Sequence, residues 1–229
     1  MMNWKKFGRT VAVSFLAIAA LAVLAGILVR NRSGWTERER EIITRSDSLM
    51  YVTVLPEDSL ILRTPSLDLT PEMARGALVK SLAAKMLHTL RHPSQDGVGI
   101  AAPQVGINRR VIWVQRFDKE GEPFECFLNP RLDSLWGPLE RGGEGCLSVP
   151  PLRGEPARYR NVLVSWLDPE TLETRRDTVR GYTAVIFQHE SDHLDGILYI
   201  DRVDSTFVSS AWQQEREEFS YKKPLWWGQ

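Results

Sequence analysis

Apolar and polar positions divide the chain into three textures. The first is Val11 to Val29, apolar throughout except for Ser14. At ~1.5 Å rise per residue this run makes about 28 Å of helix, close to the ~30 Å hydrocarbon core of a bilayer. Trp4 and Trp35 flank it at interfacial depth, as an aromatic belt does. The pattern predicts a single N-terminal membrane helix within residues 1–30. The rival reading is a cleaved signal peptide, with a small-residue site at Val23-Leu24-Ala25 before Gly26. Residues 31–56 form the second texture, a charged linker in which Thr36 caps the start of a short solvated helix over Thr36–Glu41.

The third texture has alternating periods and predicts a folded domain over 57–204. Thr70-Pro71-Glu72 is a helix start, with an N-cap, a proline at the first helical position and an acid in the first turn. Leu78, Val79, Leu82, Ala83, Met86, Leu87 and Leu90 then keep a helical period to about Arg91, and Pro93 ends it. From Gly97 the period shortens. Arg110–Gln115, Phe124–Asn129 and Val162–Trp166 read as strands, with turns at Asp118–Gly121 and Asp168–Glu170. A second helix is expected from Ala184 to Asp195, capped by Thr183 and stopped by Gly196. Val185, Ile186 and Phe187 make its first turn apolar, so it must be largely buried. A polar helical stretch to about Phe219 and a basic, aromatic tail are expected over 205–229. This order predicts an α+β domain, antiparallel strands around one buried helix, preceded by the membrane helix.

Composition changes this picture little. The chain has 229 residues, 43% apolar and 25% charged, enough for one sizeable core. Lysine plus arginine equal aspartate plus glutamate at 29 each, which gives no reason to expect nucleic acid as a partner. Cys126 and Cys146 are too few for a disulfide framework, and Cys126, inside a strand, reads as a buried structural thiol. Lys5, Lys6 and Arg9 precede the apolar run, while Arg30, Arg32, Arg38 and Arg40 follow it. The count leans toward a cytoplasmic C-terminal domain, with an exported domain as the alternative.

The buried helix carries the chemistry. Within Gln188-His-Glu-Ser-Asp-His193, His189 and His193 sit four residues apart, so their imidazoles share one helix face and can grip one metal ion. Glu190 can reach a water activated by that metal. The position that carries a third histidine in one class of such sites is here Tyr199, so the third ligand must come from elsewhere. In Gly142-Gly-Glu-Gly-Cys-Leu-Ser-Val-Pro150 a cysteine lies among glycines, a setting that predicts exposure. The thiolate of Cys146 would complete a Cys/His/His site with one position open for water. Gly97-Val-Gly-Ile-Ala-Ala-Pro-Gln-Val-Gly106 fits neither a phosphate loop nor a dinucleotide fingerprint. Its Gln104 amide is a candidate donor to a polarised carbonyl. His88 and His92 are also four apart but enclose no acid, and they read as surface residues.

Gly97-Val-Gly-Ile-Ala-Ala-Pro-Gln104, Glu144-Gly-Cys-Leu-Ser148 and Gln188-His-Glu-Ser-Asp-His193, in this order, resemble the three motifs of peptide deformylases. The likeness extends from about Leu60 to Arg202. It implies that family's α+β fold and hydrolysis of the N-formyl group of formyl-methionyl nascent peptides. It implies one divalent metal on Cys146, His189 and His193, Fe(II) foremost, with Zn(II), Ni(II) or Co(II) able to replace it. It further implies Glu190 as general base, with Gln104 and the Leu147 N–H as oxyanion donors. Ile100, Val185 and Ile186 become walls of a methionine pocket, Gly99 and Gly145 pair with the peptide backbone, and Arg153 meets it further along. A tethered domain would work near membrane-bound ribosomes. Two rivals remain at this point: a membrane-bound HExxH metallopeptidase, and an inactive domain that only binds formylated N-termini.

Overall fold

The computed structural model describes residues 34–95 and 97–208; the apolar run and the tail beyond 208 lie outside the described residues. The chain divides into two units, Met1–Glu37 and Arg38–Gln229, and the second carries the fold. Among the described residues, no helix is long and apolar enough to cross a membrane.

Helix α1 (Glu37–Thr44) and the segment after it depart from the expected solvated linker. Ile42, Ile43, Met50, Val52 and Thr53 are buried. Glu39, also buried, makes a two-pronged ion pair with the fully buried Arg109 at 2.7 and 2.9 Å. Charges at alternate helical positions hide an inward face that includes one of those charges. A short turn, α2 (Ser59–Leu62), follows.

Thr70 caps the next helix as expected, its hydroxyl accepting from the Met73 N–H at 3.3 Å, but the helix comes in two pieces. These are α3 (Pro71–Arg75) and α4 (Ala77–Leu90), separated by the extended Gly76, the residue with least to lose by leaving a helix. Val79, Leu82, Met86 and Leu90 of α4 are buried at helical spacing. His88 and His92 pair with Ser48 and Ser94.

Strands β1 (Gly99–Ala101), β2 (Val111–Gln115), β3 (Phe124–Arg141), β6 (Ala157–Leu167) and β7 (Thr174–Arg180) form one antiparallel sheet in the order β1-β2-β3-β6-β7. Strand β3 runs well past the expected Asn129, because it keeps pairing with β6 through register shifts after its side chains leave the core. Strand β7 was not anticipated: in Thr-Arg-Arg-Asp-Thr-Val-Arg only Val179 is buried. A second sheet joins β4 (Glu144–Gly145), β5 (Leu152–Gly154) and β8 (Phe207–Val208). A strand at 207–208 replaces the start of the expected C-terminal helix.

Helix α5 (Gly181–Leu194) lies on the large sheet. Ala184, Ile186, Phe187 and Leu194 pack with Ile112, Val114, Phe127, Val162, Val164 and Val179. The rings of Phe127 and Phe187 meet edge to face at 4.8 Å between centroids. Gly196 ends the helix at φ +74°, and a Cβ there would lie 2.6 Å from the Arg63 carbonyl oxygen, so only glycine fits. Thr183 is not the cap: it lies inside the helix, and its hydroxyl instead accepts from the Asp118 N–H at 3.2 Å.

Candidate functional site

Three chain segments meet on α5. Its spacing sets His189 and His193 one turn apart, their rings edge to face with centroids at 5.1 Å. The turn after β4 brings Cys146 to them, its Sγ 3.1 Å from His193 Nε2. One donor atom from each of Cys146, His189 and His193 lies within 4.8 Å of the others, close enough for one ion to touch all three. Cys146 is 5% exposed, not open as its glycine neighbours suggested. Val149, Leu198 and Tyr199 cover it, supplied by segments distant in sequence.

Hydrogen bonds fix the presentation of these donors. His189 Nδ1 lies 2.8 Å from Glu144 Oε2, which assigns Nδ1 as the donor and leaves Nε2 for the site. Burial disfavours the charged imidazole of His189, but bonds to Cys146 and Glu144 outweigh it and hold its pKa well above the ordinary range. Burial, together with the charges of His189 and Arg158, holds His193 well below it. Burial also works against the Glu144 carboxylate, yet His189 and Arg158 bind it strongly enough to keep its pKa low. The donor set therefore fits a metal: one thiol and two imidazoles, buried and pre-aimed, with a carboxylate behind one of them.

Glu190 follows His189 directly on α5. It is 3% exposed, and its Oε2 has no hydrogen-bond partner among the described residues. Burial raises its pKa to about 7, the range in which a carboxylate can both take and return a proton near neutrality. Strand β1 passes directly over it: a Cβ on Gly99 would sit 2.5 Å from Glu190 Oε1 and 2.8 Å from Ile186 Cγ2.

Gln104 lies in the 3₁₀ turn Ala102–Val105 after β1 and is 1% exposed. Its Oε1 accepts from the Ala101 N–H at 2.8 Å. That bond aims Nε2 at Ser148 Oγ, 3.3 Å away, and at Cys146 Sγ, 3.5 Å away. Leu147 follows Cys146 in the same turn and is buried. The other expected residues spread around this centre. Ile100 is fully buried beside Gly99, Ile186 is in the core and Val185 is half-buried. Arg153 on β5 pairs with Gly145 on β4, and its guanidinium occupies the space a Gly145 Cβ would need, 2.8 Å away.

Four participants escaped the sequence reading: Glu144, Arg158, Asp192 and Ser148. Glu144, Ser148 and Asp192 stand inside the quoted motifs, where only their position beside ligands marked them. Arg158 had no local signal, since it sits at the start of β6 and reaches Glu144 at 2.9 and 3.1 Å across a gap of 14 residues.

The family model described as polypeptide deformylase matches residues 50–207. The peptide deformylase of Leptospira biflexa is 37% identical over 153 residues, 64% of this chain and 84% of that protein. That of Symbiobacterium thermophilum is 37% identical over 170 residues, 74% and 75% of the two chains. The crystal structure of a class I type b peptide deformylase from Acinetobacter baumannii with Met-Ala-Ser bound superposes with a TM-score of 0.61 at 34% identity. It covers 68% of this chain and 98% of that one.

Proposed function

The chain belongs to the polypeptide deformylase family and is an enzyme of that kind, and we propose that it hydrolyses the N-formyl group of formyl-methionyl peptides, releasing formate. The observation that carries this reading is the join of a Cys146/His189/His193 donor set to a buried, unpartnered Glu190 carboxylate and an aimed Gln104 amide. Cys146, His189 and His193 would hold a divalent metal, for which we propose Fe(II), and that ion would supply Lewis-acid chemistry at the formyl group. Glu190 Oε2 takes a proton from the attacking water as the new C–O bond forms at the formyl carbon. The same carboxyl group returns that proton to the methionine nitrogen as the C–N bond breaks, leaving formate and a free amine. Gln104 Nε2–H and the Leu147 N–H donate to the formyl oxygen as its charge grows. Gly99 and Gly145 present backbone to an extended peptide, Arg153 flanks it further along, and Ile100, Val185 and Ile186 wall the methionine side chain.

Glu190→Ala tests the assignment. The variant should bind metal as the parent does and release formate from formyl-Met-Ala-Ser at least about 10²-fold more slowly. Near-parental turnover would remove Glu190 from the reaction. Failure of the parent itself to release formate would favour a binding-only domain, and cleavage of internal peptide bonds would favour a peptidase. Elemental analysis of protein isolated without oxygen tests the metal, and zinc in place of iron would overturn Fe(II).

We also propose that residues 1–30 tether the enzyme to a membrane, with the catalytic domain on the cytoplasmic side near nascent chains. The apolar run from Val11 to Val29 and its basic flanks support this.

A further inference from the structure

Behind His189 a chain of charges continues to the protein surface. Glu144 Oε2 receives His189 Nδ1, and both Glu144 oxygens receive the guanidinium of Arg158. Arg158 Nη1 then donates to Asp192 Oδ2 at 2.5 Å. Asp192 also holds Arg202, whose Nε donates to the same Oδ2 at 2.6 Å while its Nη2 reaches Oδ1. Side-chain exposure falls along this path from 41% at Arg202 to 10% at Asp192, and both Arg158 at 4% and Glu144 at 7% are buried. Two carboxylates and two guanidiniums alternate along this path.

We propose that Arg202 is a positioning residue for the metal ligand His189, acting through Asp192, Arg158 and Glu144; this rests on the Cys146/His189/His193 metal reading. Arg158 serves two carboxylates at once. With Arg202 in place, Asp192 is satisfied on both oxygens, and Arg158 can keep its two-pronged grip on Glu144. Without Arg202, a nearly buried Asp192 has only Arg158 to answer it. Arg158 is then drawn toward Asp192, Glu144 loses part of its anchor, and the imidazole of His189 is no longer held in one orientation. Partners behind a ligand commonly change metal affinity in this way, by 10–100-fold. Arg202 lies on the 3₁₀ turn Tyr199–Arg202. Tyr199 of the same turn stacks on His189 at 6.0 Å between centroids. The turn has a second tie, an ion pair from Arg63 to Asp201, which does not join the chain to His189.

The test measures Co(II) affinity, by competition with a chelator, and the visible spectrum of the Co(II) protein. Neither readout needs a formylated substrate. Arg202→Met is expected to weaken Co(II) about tenfold, the low end of that range, and to alter the ligand-field bands. Arg202→Lys should recover part of the affinity. Arg63→Met, which cuts the Arg63–Asp201 pair of the same turn, should change affinity and spectrum far less than Arg202→Met. Parental affinity and spectrum in Arg202→Met would overturn the proposal, as would an equal loss in Arg63→Met, which would assign the effect to the turn as a whole. A parent that binds no Co(II) would instead fail the metal reading on which the proposal stands. Thermal unfolding of the metal-free proteins separates a folding defect: a variant whose affinity loss vanishes once its folded fraction is matched to the parent counts against the proposal.

Discussion

Gly99 shows how tightly the Glu190 carboxylate is packed. The space that a methyl group would take there is already filled by Glu190 Oε1 at 2.5 Å and Ile186 Cγ2 at 2.8 Å. Both neighbours are buried, so neither can swing away into solvent. Gly99→Ala is therefore expected to destabilise the fold by about 1–3 kcal/mol through overpacking. It should also lower formate release more than substrate affinity, because the displaced group is the proposed base. Urea unfolding and steady-state kinetics read the two effects separately, and a variant with unchanged midpoint and turnover would show that β1 is free to shift. The contrast between the two cysteines is equally local. Cys126 is closed in β3, where burial pushes its thiol up to about 12, whereas Cys146 lies against histidine nitrogen.

Among the elements, α1 departs most from expectation. Its Glu39 neutralises Arg109, which is 1% exposed. Removing one partner of such a pair leaves a buried charge, at a typical cost of about 3–5 kcal/mol. Glu39→Ala should accordingly lower the urea midpoint by an amount equivalent to about 3 kcal/mol. An unchanged midpoint would mean that α1 lies outside the cooperative unit. The same element explains why part of the fold was illegible beforehand. Glu-Arg-Glu-Arg-Glu-Ile-Ile-Thr looks solvated, because an ion pair between residues 70 positions apart has no local signature. Strand β7 and the outer half of β3 were hidden for a related reason. They are held by backbone pairing with β6 and bury few side chains, so no two-residue apolar period marks them. By contrast, α4 buries a face at helical spacing, β2 and β6 carry apolar runs, and α5 is buried nearly all round, so these were readable. The site was readable where its residues cluster in short motifs, and Arg158 was missed because it reaches the site only through the fold.

At the scale of the whole molecule, the proposed metal ligands belong to two substructures. His189 and His193 ride on the helix that packs against the five-stranded sheet, and Cys146 comes from the edge of the three-stranded one. An ion gripped by both links them in the folded state alone. Ligand present at 100-fold over its dissociation constant adds about 2.7 kcal/mol to stability. Chelation is therefore expected to lower the midpoint of thermal unfolding by roughly 5–10 °C for a domain of this size. An unchanged midpoint would show that no ion was bound in preference to the folded state. The proposed tether belongs to this scale too. The full chain should sediment with membranes and, in spheroplasts, its C-terminal domain should resist added protease. Deleting residues 1–30 should release it to the supernatant, and digestion in intact spheroplasts would place the domain on the other face.

The Ala101 N–H that holds Gln104 Oε1 also decides which way hydrogen bonds can run at the site. With its oxygen occupied, the amide offers only protons to whatever lies beside Cys146. A ligand atom with lone pairs is welcomed there, whereas one bearing an N–H meets a second donor and loses its own partner. An unanswered buried donor costs about 1–3 kcal/mol, which is roughly tenfold to a hundredfold in affinity. Two inhibitors of the same shape, one placing a carbonyl oxygen at that point and the other an amidine nitrogen, would therefore be told apart by polarity alone. One backbone hydrogen bond, three residues upstream, would make the enzyme selective for the direction of a ligand's dipole.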